Sequence, residues 1–393
     1  MEKEIEGQKI YNPFEKNSEY IYEINKSKYI ANSFISLGVY GPISSFYKTN
    51  TKELVTIKKI SNFYENPSKG KNILKQLSIL SFLNHPKVIK LIDILIPEDK
   101  KDFQDLYLIE EFMPTNLEKL ILYDDYNYEK DIPWIIYQIL KGLNYLHSSK
   151  IMHRVLRPSN ILLNEEGDIK ICGFKNATSF DDYENTFRGE INDFTSEKGI
   201  LTYTAPEILA SKKKNKNNYN EKIDLWGVGC IMAELYTKII PFFPSLKNNK
   251  KKWISQLNGI FKKFGKPSKG DIEQFASKER IKDISKFHAF QKMEKKELFP
   301  NVNNEEAINL MERLLCINPH NRISLKEAID HPYFDVIKEY KYEDNIDSNI
   351  IFKNEYENEI KEMEKKNAYF NEQIEFYKKE ILLKKQNFNI NYK

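Results

Sequence analysis

Several stretches of the chain carry regular patterns of apolar and polar residues. Residues 54–58 are rich in β-branched side chains and predict a β-strand. Residues 72–83 and 135–147 repeat apolar side chains at helical spacing, so both predict amphipathic helices. Near the C-terminus the apolar spacing alternates between three and four, which predicts a helix with one apolar stripe. Its positions are Ile360, Met363, Asn367, Phe370, Ile374, Tyr377 and Ile381.

Two other stretches lack such patterns. Residues 1–28 are polar with scattered aromatic side chains and predict a loosely docked N-terminal arm. Residues 211–218 are a lysine- and asparagine-rich, low-complexity segment that predicts a disordered loop. The folded part of the chain is therefore expected to begin near residue 29.

Composition and charge narrow the class of protein. The 393 residues contain 61 Lys and Arg against 57 Asp and Glu, a net charge of +4 that does not suggest nucleic-acid binding. No apolar run approaches the roughly 18 residues that span a bilayer, and no apolar segment follows the N-terminus. The three cysteines, Cys172, Cys230 and Cys316, are scattered without metal-ligand spacing and fit a reducing compartment. We expect an intracellular protein, cytoplasmic or cytoskeletal, with no metal, membrane or nucleic-acid partner.

The middle of the chain resembles the catalytic loop of a protein kinase. Residues 151–160 read I-M-H-R-V-L-R-P-S-N, against the kinase pattern H-R-D-L-x-x-x-N. Asn160 matches the pattern, but Val155 stands where the catalytic Asp is expected. Residues 172–175 read C-G-F-K, so Gly173 replaces the metal-binding Asp of D-F-G. The resemblance therefore implies that the general base and one metal carboxylate are both absent.

Residues 34–43 resemble the kinase glycine-rich loop, G-x-G-x-x-G-x-V. Gly38 and Gly41 match the second and third glycines, and Ile43 stands at the valine position. Glycines are needed there because the backbone must approach phosphates without a Cβ. An ordinary hairpin turn would account for the same residues.

The resemblance implies further nucleotide-binding positions, most of them in the first third of the chain. Lys58 matches the lysine that pairs the α- and β-phosphates, and Gln76 stands where its glutamate partner is expected. Glu110 falls at the back of the pocket, where it would pair with Lys58; if the register is off by one, Glu110 is simply exposed. Met113 and Leu162 fall at the remaining nucleotide-binding positions.

A series of C-terminal motifs extends the resemblance to the MAP kinases. In chain order they are Y-T-A-P-E at 203–207, I-D-L-W-G at 223–227, an insert over 264–300, N-P-H-N-R-I at 318–323 and H-P-Y-F at 331–334. The resemblance covers about residues 29–340 and implies an α+β, bilobal fold. We expect a small β-rich lobe at 29–112, a larger helical lobe at 113–340 and a helical extension at 341–393.

The same resemblance implies the residues that hold the larger lobe together. Glu207 and Arg322 match a buried ion pair, and Asp224 matches the residue that anchors the backbone of the catalytic loop. In the activation loop, Thr195 could be phosphorylated and meet Arg154. An ordinary solvated loop is the alternative for Thr195.

The apolar stripe over 352–381 has two interpretations. It could form a coiled coil with a second chain, with Asn367 fixing the register, and the strict heptad period slightly favours this. The alternative is a single helix packed on its own kinase domain.

The function expected from these features is a MAP-kinase-like pseudokinase that acts as a scaffold or protein-binding module. It would require no cofactor, would bind ATP weakly at most, and would not hold Mg²⁺. The first alternative is a Ser/Thr protein kinase with residual or unconventional activity. The second is a structural component of a larger assembly, anchored by the C-terminal helix.

Overall fold

The computed structural model describes most of the chain between residues 22 and 340. The described residues are 4–5, 8–11, 22–63, 67–96, 105–123, 128–180, 201–211, 220–244, 252–340, 351–352, 374, 376–379 and 381. The chain forms two compact units, one made of Met1–Pro114 with Asn354–Lys393 and the other of Thr115–Lys353. The boundary after Pro114 lies close to the expected boundary after residue 112.

The first unit is built on an antiparallel sheet of five strands, in the order β4-β5-β6-β8-β7. A smaller sheet of three strands, β1-β2-β3, precedes it. The strands are Glu4–Ile5 (β1), Gln8–Tyr11 (β2), Tyr22–Glu23 (β3), Tyr29–Leu37 (β4), Pro42–Lys48 (β5), Leu54–Ile60 (β6), Leu91–Leu95 (β7) and Leu106–Glu111 (β8). The helix Pro67–Phe82 (α1) begins five residues before the predicted helical pattern, and the predicted strand at 54–58 lies within β6.

The end of the expected N-terminal arm belongs to the core of this unit. Tyr22 and Ile24 are buried together with Phe46 and Tyr107. The Tyr22 hydroxyl donates a hydrogen bond to Ser44 Oγ at 3.0 Å, and its ring meets the Phe46 ring edge-on at 5.2 Å. The expectation of a loosely docked arm is therefore wrong for these residues, because their side chains complete the apolar face of the sheet.

The second unit is mainly helical. Its short strands are Thr115–Asn116 (β9), Ile151–Met152 (β10), Ile161–Leu163 (β11), Ile169–Ile171 (β12) and Thr178–Ser179 (β13). Its α-helices are Leu117–Leu122 (α2), Ile132–Ser148 (α3), Pro206–Leu209 (α4), Lys222–Thr237 (α5), Lys252–Phe264 (α6), Lys269–Phe275 (α7), Lys278–Ile284 (α8), Lys295–Leu298 (α9), Glu305–Leu314 (α10) and Leu325–Ile329 (α11). Among its described residues the 3₁₀ segments are Glu129–Asp131, Pro158–Asn160, Phe174–Asn176, Leu201–Tyr203 and Pro332–Tyr340.

Helix α5 forms the centre of the second unit. Every residue from Ile223 to Leu235 is buried, as expected for a helix that is apolar on all sides. Helices α3 and α10 pack against it. Because α5 is immobilised in this way, Asp224 in its first turn is a fixed support for the loop beside it.

The expected α+β class, with a sheet-rich first unit and a helix-rich second unit, is confirmed. No helix in the described part of the chain is long and apolar enough to cross a membrane. Residues 212–218 of the predicted basic segment lie outside the described residues, so its predicted disorder stays a prediction. Ser211, which begins it in the sequence, is buried.

Only the last part of the predicted C-terminal stripe is described. Its positions Ile374, Tyr377 and Ile381 are helical and buried in the single chain. Phe352 is also buried, and its N–H donates to the carbonyl of Ser149 at 3.1 Å. The other stripe positions, Asn367 among them, lie outside the described residues. The burial favours packing on the same chain over the coiled-coil interpretation.

Candidate active site

The backbone of the catalytic loop is held by one buried carboxylate. Asp224 accepts hydrogen bonds from the N–H groups of His153 at 3.0 Å and Arg154 at 2.6 Å. His147 Nε2 lies 2.9 Å from the same carboxylate. Burial opposes its ionisation, but the bonds from His147 and the backbone hold the pKa of Asp224 below its ordinary value. These contacts retain Arg154 at a φ of +72°, an uncommon conformation for a residue with a Cβ.

His153 joins the catalytic loop to the strand that leads into the altered D-F-G motif. His153 Nε2 lies 2.8 Å from the carbonyl oxygen of Cys172. The His153 ring meets the Phe174 ring edge-on at 5.2 Å. Burial lowers the pKa of His153, although the negative charge of Asp224 acts to raise it. The lowered pKa favours the neutral ring. The loop is therefore held both by Asp224 and by the strand that carries Cys172.

The residue at the position of the expected general base has no side-chain group that can accept a proton. Val155 is 4% exposed and ends in two methyl groups, so it cannot accept a proton. Its carbonyl oxygen instead accepts a hydrogen bond from Asn160 Nδ2 at 2.9 Å. Asn160 is thereby engaged in holding the loop.

The second altered position leaves no room for a carboxylate in this conformation. Gly173 has φ +86° and ψ +39°, in the left-handed region. A Cβ built on Gly173 would lie 2.6 Å from both Cγ and Oδ1 of Asn160. An aspartate could enter only if Asn160 moved and gave up its bond to Val155.

In the first unit, the predicted ion pair between Lys58 and Glu110 is present. Lys58 Nζ lies 2.7 Å from Glu110 Oε2. Strands β6 and β8 place Lys58 opposite Leu108 and Glu110 opposite Thr56. Glu110 is 2% exposed and Lys58 is 22% exposed, so the alternative of an exposed Glu110 is excluded.

Gln76 on helix α1 does not replace the glutamate partner of Lys58. Its Oε1 atom is buried and has no hydrogen-bond partner among the described residues. A buried acceptor without a donor is unfavourable. The amide therefore keeps the position of the family's glutamate without its ion pair.

The glycine-rich segment is a hairpin between β4 and β5. The Gly38 N–H donates to the Gly41 carbonyl at 2.8 Å. Gly41 has φ +155°, and a Cβ there would lie 2.7 Å from the carbonyl oxygen of Lys59. The backbone therefore requires glycine at 41 for its own packing, so these contacts fit the hairpin alternative as well. Ile43 pairs with Lys58 across the sheet.

The remaining predicted positions are distributed between the two units. Met113 is buried just after β8, and Leu162 lies on β11 opposite Asn116. Arg154 donates from Nη1 to the carbonyl of Asn176 at 3.3 Å. Thr195 lies outside the described residues, so its meeting with Arg154 stays a prediction.

One residue that the sequence reasoning missed is Arg157, in the middle of the catalytic loop. Its Nε atom is buried and has no hydrogen-bond partner in the described structure. A count of charges along the loop would have singled it out, because the loop has lost its acid and kept this cation.

The residues present do not fit a nucleotide-bound Mg²⁺ ion. Mg²⁺ prefers carboxylate and other oxygen ligands, whereas Val155 and Gly173 supply no side-chain oxygen, so the neutral amide oxygen of Asn160 is the one side-chain ligand left among these three positions. The described residues contain no cluster of three His, Cys, Asp or Glu side chains that could hold a metal.

Comparison with known proteins identifies the family. Residues 29–334 match the family model for the protein kinase domain. The chain is 33% identical to Mitogen-activated protein kinase homolog NTF6 from Nicotiana tabacum, over 92% of this chain and 91% of that protein. It is 34% identical to Mitogen-activated protein kinase 3 from Arabidopsis thaliana, over 76% of each chain. It is 33% identical to Mitogen-activated protein kinase 13 from the same plant, over 84% of each chain. The chain belongs to the protein kinase family and within it to the MAP-kinase-like proteins.

Proposed function

We propose that this member of the family is a pseudokinase that works as a scaffold or protein-binding module, with little or no phosphoryl transfer. The observation that carries the proposal is the pair of altered positions in the second unit. Val155 offers no proton acceptor, and Asn160 fills the space that a side chain at 173 would need.

The expected loss of rate follows from the roles of the missing groups. Phosphoryl transfer needs metal ions to neutralise developing charge and a base to orient the incoming hydroxyl. Loss of a general base costs about 10²–10⁴ in rate, and loss of metal stabilisation adds several kcal/mol to the barrier. Family rates of roughly 1–100 s⁻¹ would therefore fall to a negligible level.

The alternative is a Ser/Thr protein kinase with residual or unconventional activity. The comparisons taken alone favour this alternative, because the relatives are named as kinases. Lys58 and Asn160 are also retained from the family pattern. The geometry of the second unit favours the pseudokinase, since neither retained residue can replace the lost carboxylates.

A transfer assay with radiolabelled ATP separates the two functions. We expect no label above background on a generic substrate or on the protein itself. Lys58→Met is the test variant, and Lys59→Met is a matched control on the same strand, since Lys59 has its own partner, Asp105, at 2.7 Å. Transfer that Lys58→Met abolishes and Lys59→Met leaves intact would overturn the pseudokinase proposal.

We further propose that the partners are proteins and that the protein works inside the cell, in the cytoplasm or on the cytoskeleton. The three cysteines are free thiols, which fits a reducing compartment. Self-association through 352–381 is tested by ending the chain after Tyr340. If the segment packs on its own kinase domain, the truncated protein melts at a lower temperature and its mass by light scattering is unchanged. Loss of a dimer without loss of melting temperature would favour the coiled coil.

A further inference from the structure

The hairpin formed by β4 and β5 in the first unit carries a large share of the exposed apolar side chains. Twelve large apolar side chains are exposed in the described part of the chain. Five of them lie on this hairpin: Ile30, Phe34, Leu37, Val39 and Tyr47. Ile30 and Tyr47 are paired across the two strands and are 48% and 40% exposed. Because exposed apolar patches mark interaction sites in soluble proteins, the hairpin is a candidate contact surface.

The two edges of the five-stranded sheet differ in their protection. At one edge, β7 has no exposed residue and carries Asp93. At the other edge, β4 has no buried residue, and no strand of the described structure pairs with its outer side. Proteins ordinarily protect an exposed edge with lysine, proline or bulges. Strand β4 has two register shifts but neither lysine nor proline, so its backbone remains available to a further strand.

The hairpin also lacks charge. Residues 29–47 contain no Asp, Glu, Lys or Arg, in a chain that is 30% charged. The nearest charges lie at one end, where Lys28 precedes β4 and Lys48 is paired with Tyr29. The other end, at Leu37 and Gly38, has none. A charged partner strand would therefore find no complementary charge along β4, whereas a second β4 would meet no like charge.

We propose that two copies of this chain associate by antiparallel pairing of their β4 strands. A two-fold axis relates identical surfaces of two copies, and edge strands related in this way run antiparallel. The charged end of each strand then lies beside the uncharged end of the other. The two charged ends are separated by about 30 Å at ~3.4 Å per residue, well beyond the screening length of about 8 Å.

The sequence of β4 is compatible with its own antiparallel pairing. A register centred on Ser33 places Tyr29 opposite Leu37 and Ala31 opposite Ile35, and such apolar cross-strand pairs stabilise sheets. The same register places Ile30 opposite Ser36. The association uses the first unit alone, so it does not depend on the proposed loss of phosphoryl transfer.

Sedimentation equilibrium of the full chain at increasing micromolar concentrations tests the proposal. We expect the wild-type mass to rise towards twice the 46.6 kDa of one chain, with little dependence on salt, because no charges meet in the seam. Ile30→Lys combined with Ser36→Lys places like charges opposite each other and should weaken the dimer at least tenfold. Ile30→Lys combined with Ser36→Glu places opposite charges there and should retain a dimer that salt weakens.

The two double variants are matched, since both change the same two exposed positions. Val336→Lys, at a 72% exposed position in the second unit, should dimerise as the wild type does. A wild-type protein that stays monomeric would overturn the proposal. So would a dimer that survives the Lys/Lys variant, or one that is lost equally in both double variants.

Amide hydrogen exchange of the wild type provides a second measurement that needs no variant. Exchange of the β4 amides should slow as the protein concentration rises, because pairing protects them, while exchange of the β7 amides should not change. Exchange in β4 that is independent of concentration, under conditions where the protein is dimeric, would place the contact elsewhere and contradict the proposal.

Discussion

The residues that support the second unit and the positions that would react differ completely. Asp224 still binds two backbone N–H groups of the loop, and Arg322 still forms two bonds to Glu207, at 2.7 and 2.9 Å. At the reacting positions, Val155 and Gly173 carry no functional group.

The difference shows which residues the fold itself requires. Arg322 and Glu207 are both 0% exposed, so loss of either one would leave an unpaired charge in the interior. A catalytic carboxylate at 155 or 173 contributes to reaction and not to packing, and its loss leaves the fold intact. The kinase frame can therefore remain stable and useful for binding after the reaction is lost.

Breaking a support should have the largest effect on stability. We expect Arg322→Met to lower the free energy of unfolding by about 3–5 kcal/mol, because Glu207 would remain buried and unpaired. Arg313→Met is the matched control, since the Arg313–Glu327 pair is exposed and worth about 1 kcal/mol or less. Urea unfolding monitored by tryptophan fluorescence measures both. Equal values for the two variants would contradict the structural role of the buried pair.

The second largest effect on stability should come from breaking the Lys58–Glu110 ion pair of the first unit. Glu110→Ala should destabilise the protein by roughly 3 kcal/mol, because Lys58 loses its partner. Lys58→Met should cost more than Glu110→Ala, since Glu110 is the more deeply buried of the two. Glu110→Leu combined with Lys58→Met should recover much of the loss. A neutral Glu110→Ala in the same unfolding experiment would show that the pair contributes nothing.

A third effect depends on pH and comes from Glu234 in helix α5. Burial raises the pKa of Glu234 to about 8, although the Phe242 N–H and the Tyr203 hydroxyl donate to it. Between its unfolded pKa and 8, the folded protein keeps a proton that the unfolded chain releases, so stability falls as the pH rises. We expect a loss of roughly 2 kcal/mol from pH 6 to pH 8. Glu234→Gln should flatten this dependence, and an unchanged slope would show that Glu234 is not its source.

The smallest effect should come from restoring an aspartate. Gly173→Asp should destabilise the protein by roughly 1–2 kcal/mol, because φ is positive there and Asn160 occupies the space. Combined with Val155→Asp, it should leave phosphoryl transfer far below family rates. The test is the radiolabel assay. Phosphoryl transfer at ordinary family rates in the double variant would show that the Asn160 side chain moves aside at little cost.

Much of the fold could be predicted because it depends on spacing and on pairs of complementary residues. The resemblance to the kinase family implied that Glu207 pairs with Arg322 and that Asp224 lies beneath the loop. The same resemblance implied the Lys58–Glu110 pair, with an exposed Glu110 as the alternative. Such relations survive in a single sequence.

The rest depended on contacts that no local pattern encodes. Tyr22 is buried by residues that lie far along the chain. Helix α1 begins before the apolar repeat, so the repeat did not predict its first residues. The collision between a side chain at 173 and Asn160 is visible only in three dimensions. The lone Arg157 could have been noticed from charge alone, but its missing partner could not.

The central claim is that this kinase frame no longer handles a nucleotide–metal complex, and the melting temperature with MgATP tests it most directly. We predict no rise with MgATP beyond that seen with ATP and a chelator, because Val155 and Gly173 supply no metal ligand. A ligand at 100 times its Kd would stabilise the protein by about 2.7 kcal/mol, a shift that is easily measured. A rise of several degrees with MgATP, absent with ATP and chelator, would contradict the account.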